Sequence, residues 1–266
     1  MAKPTLEAIL AVTRARVAAL QGSAADLERR AGAAPAPRPF PALPLGRTVG
    51  VVAEVKRRSP SQGAIRADLD PVAHARAYAR GGAVAVSVLT DQAHFGGSLD
   101  DLAAVAAAVP VPVLRKDFIL DELQLLEARA AGASAVLLIV RALEGARLVA
   151  LARAARQQGL ATLIEVHGEA ELEPALAAAP TAIGVNARDL TTFAVDLKAA
   201  ERVLARVPPE VPAVAESGVE ERRDVERLSA AGADLVLVGT SVTRSADPEA
   251  AVRALVGVKR HPRRSS

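Results

Sequence analysis

The chain of 266 residues has no cysteine and no tryptophan, one methionine, one tyrosine and four phenylalanines. Without cysteine there can be no disulfide staple, no thiolate zinc site and no cysteine nucleophile. Aromatic residues make up only 2%, so the stacking platforms that bind single-stranded nucleic acid are lacking, and no nucleic-acid partner is expected although the sequence pI is about 9.7. Net charge is only +3. Part of that excess sits in the closing "VKRHPRRSS", and 259–266 reads as a frayed basic tail. A mildly basic protein suits a small anionic substrate. No apolar run approaches the ~20 residues of a membrane span, so no membrane association is expected. The opening "MAKPTLEAILAVTRARVAAL" carries charges throughout and lacks the apolar core and cleavage site of a secretory signal, which points to the cytoplasm.

Apolar residues are abundant, at 51%, enough for a large core. Short runs rich in Val and Ile recur at 49–55, 83–89, 111–116, 134–140, 160–166, 181–186, 211–217 and 234–240. Between them lie segments such as "LDELQLLEARAAGA" with apolar residues at helical spacing, several ending in Gly just before the next run. Continuous apolar runs, in place of strict alternation, imply parallel strands covered on both faces. Eight strand-then-helix units therefore predict an α/β fold, a (β/α)8 TIM barrel over 49–258. A doubly wound open sheet is the runner-up, but no glycine-rich turn follows the first strand. Residues 1–48 precede the barrel as a helical extension, with helices at about 5–20 and 24–32 and then the Pro-rich connector "AAPAPRPFPALPLGR".

In such a barrel the active site lies at the C-terminal strand ends, and polar residues gather there. The first strand ends in Glu54 and Lys56, the third in Lys116, the fifth in Glu165, and the sixth in Asn186 with Arg188 just beyond. The seventh ends in Glu216-Ser217-Gly218 and the eighth in Gly239-Thr240-Ser241, whereas the fourth offers nothing chemical. Any one of these could be the first solvated residue of a loop, and Glu54 and Lys56 could simply pair with each other on one strand face. Together they form a ring of charge around an apolar mouth, costly to desolvate unless it is used. Crowded Lys and Glu groups shift one another's pKa values toward proton donor and acceptor roles. The small residues after the last two strands expose backbone N–H groups, as phosphate sites in barrels do. His74, His94, His167 and His261 show no metal-ligand spacing, and His167 reads as a surface residue. No metal and no organic cofactor is expected.

The segments "AEVKRRSPSQG", "LTDQAHFGGSLDDL", "PVLRKDFILDELQLLEARAAGASAVLLIV", "LIEVHGEAEL", "IGVNARDLTTFAVDL" and "AESGV" resemble, in order, the indole-3-glycerol phosphate synthase family. The resemblance implies a carboxy-lyase of tryptophan biosynthesis. Such an enzyme closes the pyrrole ring of 1-(2-carboxyphenylamino)-1-deoxyribulose 5-phosphate, losing CO₂ and water to yield indole-3-glycerol phosphate. By the same resemblance Lys116 is the general acid of condensation and Glu165 the principal acid/base of dehydration. Lys56 is a second proton donor, and Glu54, Asn186 and Glu216 are positioning groups. Ser59, Pro60 and Arg188 would face the carboxylate end, with Phe95, Phe118 and Leu190 along the apolar part. Ser217, Gly218, Gly239, Thr240 and Ser241 would hold the phosphate, with Lys56 near it. Which lysine protonates which oxygen stays open at this level.

Three positions depart from the family pattern: Ala187, where a second asparagine is usual, the "GTSVTR" segment, and Asp121-Glu122, where Asp-Pro is common. They leave open a paralogue in a secondary indole pathway. Two other phosphate-binding barrel enzymes remain as alternatives, a Schiff-base aldolase acting through Lys116 and a phosphoribosylanthranilate isomerase-like enzyme. A monomer or weak homo-oligomer acting on a small phosphorylated molecule is expected.

Overall fold

The computed structural model describes residues 4–41, 46–189 and 192–263. Eight parallel strands close into a barrel: β1 (Gly50–Val55), β2 (Ala85–Leu89), β3 (Val113–Lys116), β4 (Ala135–Ile139), β5 (Ala161–Val166), β6 (Ala182–Asn186), β7 (Ala213–Glu216) and β8 (Leu235–Val238). Each pairs with the next, and β8 returns to β1 through Gly50↔Leu235 and Val52↔Leu237. The third and seventh strands start later than their apolar runs because Pro112 and Pro212 have no N–H to give to the ladder. Their carbonyls still accept from Val86 and Ile183, at 3.0 and 2.9 Å.

Two helices, α1 (Leu6–Leu20) and α2 (Ala24–Ala33), precede the barrel. Helices between strands start where the sequence caps them. Asp70 accepts from the N–H groups of Val72 and Ala73 ahead of Pro71, starting α3 (Pro71–Arg80), and Asp121 forms a capping box with Gln124 at the next helix start after β3. Gly132 and Gly232 end helices at φ 82° and 102°, backbone that a side chain would strain.

The core has two layers, which is why the strand runs carry no polar alternation. Val51, Val86, Val113, Val136, Ile164 and Val236 point outward and pack under the helices. Val52, Ala85, Leu114, Leu137, Leu163, Val214 and Leu237 fill the barrel interior. Alternation then fixes what comes next on the inward face: Glu54 two residues after Val52, Lys116 after Leu114, Glu165 after Leu163 and Glu216 after Val214.

Residues 259–263, expected to fray, are tied to the floor of the barrel. Arg260 and Arg263 each reach Asp234 at 2.8 Å, Ser229 donates to the Lys259 carbonyl at 2.8 Å, and Thr48 bridges Lys259. Among the described residues no helix is long and apolar enough to cross a membrane.

Candidate active site

Glu54, Lys116, Glu165 and Glu216 meet at the C-terminal mouth of the barrel, the three glutamates nearly excluded from solvent and Lys116 partly so. The Lys116 Nζ lies 3.1 Å from Glu165 Oε2 and 2.9 Å from Glu216 Oε2. Lys56 Nζ stands 2.7 Å from Glu54 Oε1. This crowd fits only because Gly184 of β6 and Gly239, just after β8, carry no side chain there. A Cβ at Gly184 would lie 2.2 Å from Glu216 Oε1, and one at Gly239 would lie 2.5 Å from Glu54 Oε1 and 2.9 Å from Lys56 Nζ.

Burial alone would lower the Lys116 pKa, but Glu165, Glu216 and Glu54 outweigh it and raise it, so the ammonium stays charged. The two glutamates that share it are driven apart. Burial pushes Glu216 up to about 7, helped by Glu165 and Glu54 against the pull of Lys116. Burial works on Glu165 in the same sense, but Lys116, His167 and Asn186 overcome it and hold the carboxyl below its ordinary value. One carboxylate is thus held ionised at neutral pH while its neighbour holds a proton more readily.

A buried network fixes the strand that carries Lys116. The Arg115 side chain, fully buried on the outward face, donates to Thr90 Oγ1 at 3.1 Å, to the Gln124 carbonyl at 2.6 Å and to Asp117 Oδ2 at 3.0 Å, and it pairs with Glu127 at 3.1 Å. Arg16 of α1 reaches the same Asp117 oxygen at 2.8 Å, which ties the N-terminal extension to the residue next to Lys116. Burial raises the Asp117 pKa, yet Arg115 and Arg16 prevail and lower it.

Every expected site residue other than Leu190, which lies outside the described residues, lines one cavity of about 600 Å³. Phe95 and Phe118 face each other across its apolar side, with ring centroids 6.4 Å apart. Arg188 donates to the Phe193 carbonyl at 3.0 Å; burial lowers its pKa and, among the described residues, no carboxylate opposes that shift. Asn186 Oδ1 accepts from the Arg188 N–H at 3.0 Å and from Ser217 Oγ at 2.8 Å. Ser217 and Gly218 are consecutively left-handed, at φ 67° and 78°, which turns their backbone toward the cavity end shared with Gly239, Thr240 and Ser241. The loop after β1 forms a short hairpin, Arg58–Ser59 against Gly63–Ala64, which the sequence did not suggest. Arg57 pins it to Asp101, Arg58 donates to the Gln92 and Ala93 carbonyls, and Arg244 donates to Gln62 Oε1 at 2.9 Å.

The model of the indole-3-glycerol phosphate synthase family matches residues 6–255. The chain belongs to that family. It is 48% identical over 259 residues to the indole-3-glycerol phosphate synthase of Mycobacterium tuberculosis, covering 97% of this chain and 95% of the relative. It is 47% identical over the same length to that of Mycobacterium ulcerans, with the same coverage. Among solved structures, 3-hexulose-6-phosphate synthase of Salmonella typhimurium matches with a TM-score of 0.60 at 16% identity, over 78% of this chain and 96% of that one, a likeness of fold.

Sequence reasoning missed four participants at this mouth. Asp91, Asp117 and Arg244 line the cavity, and His167, expected at the surface, has a side chain only 2% exposed with Nε2 at 3.3 Å from Glu165 Oε1. His167 stands just after β5, two places beyond Glu165, and no local pattern marks it as buried.

Proposed function

We propose that the ring of charge on this rim carries out the family's reaction, the decarboxylating ring closure of 1-(2-carboxyphenylamino)-1-deoxyribulose 5-phosphate to indole-3-glycerol phosphate in tryptophan biosynthesis. The observation that carries the reading is Lys116 held as an ammonium between Glu165 and Glu216 in the cavity at the barrel mouth. The ring carbon bearing the carboxylate attacks the ketone, and Lys116 gives the carbonyl oxygen its proton. Loss of CO₂ restores the aromatic ring. Water then leaves as the new hydroxyl gains a proton and the anilino nitrogen loses one, with Glu165 as acid/base and Lys56 as second donor. Glu54, Asn186 and Glu216 orient the lysines and the substrate's nitrogen and hydroxyls.

Arg188, with Ser59 and Pro60, takes the benzoate carboxylate, and Phe95, Phe118 and Leu190 flank the aromatic ring. Ser217, Gly218, Gly239, Thr240 and Ser241 take the phosphate, with Lys56 beside Gly239. Holding both charged ends bends the flexible chain into an attack geometry. No step calls for a metal or organic cofactor, and the enzyme works as a monomer or weak homo-oligomer in the cytoplasm.

A Schiff-base aldolase through Lys116 is disfavoured, because an amine held protonated by three carboxylates is a poor nucleophile. The test is to give the purified protein the carboxyphenylamino substrate and follow indole fluorescence. Turnover supports the reading; no turnover, or covalent trapping of Lys116 by borohydride with a keto-sugar phosphate, overturns it.

A further inference from the structure

Glu165 is approached from two sides, and the family reaction accounts for only one. On the cavity side Lys116 holds Oε2 at 3.1 Å. Behind the carboxylate, among residues that do not line the cavity, His167 places Nε2 at 3.3 Å from the other oxygen, Oε1. The His167 side chain is 2% exposed, and neither ring nitrogen has a well-aligned hydrogen bond. A buried imidazole normally finds a partner.

The groups around it supply one. Beyond the ring, Glu171 Oε2 lies 3.7 Å from Nδ1 and accepts from the His167 backbone N–H at 2.8 Å. Burial raises the Glu171 pKa, but His167 and Arg141 hold it down, at about 2, so this carboxylate is ionised. Arg141 donates to Glu171 Oε1 at 2.6 Å and pairs with Asp189 at 3.0 Å, in the loop that carries Arg188. The imidazole therefore stands between two carboxylates. Lys116 and Asn186 act on it only through Glu165, Glu216 only through Lys116, and Arg141 only through Glu171.

We propose that His167 is the positioning partner of Glu165 and the reservoir for its proton, an inference that rests on Glu165 being the acid/base. Nε2 faces Oε1 at 3.3 Å, close enough for a proton to pass between them. When Glu165 removes the anilino proton, the N–H electron pair stays on the substrate and the proton passes through the carboxyl to Nε2. The imidazolium so formed lies between Glu165 and Glu171, and Glu165 is again an anion beside Lys116. The reverse transfer reloads Glu165 when it acts as an acid. No oxidant or co-reactant enters.

His167→Gln, His167→Phe and Glu171→Gln test this, with thermal unfolding confirming that each variant is folded. The expected result is a kcat at least tenfold lower for both His167 variants, KM within about twofold, and loss of one limb of the kcat–pH profile. Glu171→Gln, which removes the far anion without touching the cavity, should move that limb to lower pH. Wild-type kcat and pH profile in both His167 variants would overturn the proposal. So would a lowered kcat with an unchanged pH profile, since that marks a packing role. If Glu165→Gln itself retains full activity, the acid/base assignment fails and this inference falls with it.

Discussion

Replacing Lys116 with methionine keeps the length and apolar stem of the side chain and removes the one cation shared by Glu165 and Glu216. At 3.1 and 2.9 Å, and an effective dielectric of about 20, each ion pair has a gross attraction of roughly 5–6 kcal/mol. The variant also sheds the cost of burying the ammonium, so the net loss is smaller, about 3–5 kcal/mol for stranding buried partners without counter-charge. That loss should depend on pH. In the wild type Glu165 titrates below its unfolded value, so its contribution is present above that value and is lost as pH falls through the depressed folded value. Without Lys116 both carboxyls titrate above their unfolded values, the folded state binds protons more tightly than the unfolded chain, and stability falls as pH rises. Urea unfolding followed by circular dichroism should show the variant close to wild type near pH 5 and about 3–5 kcal/mol weaker near pH 8. Adding Glu216→Gln to Lys116→Met should recover much of the difference at pH 8. An equal loss at both pH values, or no recovery in the double variant, would refute the shared-cation account.

Glu165→Gln should lower kcat by ~10²–10⁴-fold with little change in KM, measured as indole fluorescence under saturating substrate. Gly239→Ala puts a Cβ 2.5 Å from Glu54 Oε1 and should part the Glu54–Lys56 pair at the phosphate end, raising KM by ~10–100-fold, the equivalent of about 1.5–3 kcal/mol. Asp117→Asn leaves Arg115 and Arg16 without their common anion and should lower Tm by roughly 6–20 °C in a thermal melt.

The barrel was legible because eight apolar runs, each covered on both faces, have few other homes, and because the residue two places beyond the last inward apolar one was charged on four strands. The runs at 111–116 and 211–217 begin before their strands because Pro112 and Pro212 have no N–H to give to the ladder. His167 reads as a surface residue because nothing local in the sequence shows that Glu165 and Glu171 enclose its ring. Arg16 and Asp117 meet across 101 positions of chain, and no local pattern records such a pairing. Gly184 likewise reads as an ordinary strand residue, and Gly239 reads only as part of the phosphate end. Their purpose is visible only when the carboxylates of β7 and β1 are seen to occupy the space a Cβ would take. The tail at 259–263 looked frayed because its arginines find their partner, Asp234, at the start of another element.

The central claim is that Lys116 delivers the first proton from a ring of charge assembled by four strands. The most direct measurement is turnover of the carboxyphenylamino-deoxyribulose phosphate by wild type, Lys116→Ala and Lys56→Ala, followed as indole fluorescence at saturating substrate. The account predicts turnover by the wild type, a loss of ~10²–10⁴-fold in kcat for Lys116→Ala, and a smaller loss for Lys56→Ala. Wild-type rates in Lys116→Ala, or no turnover by the intact protein, would contradict it.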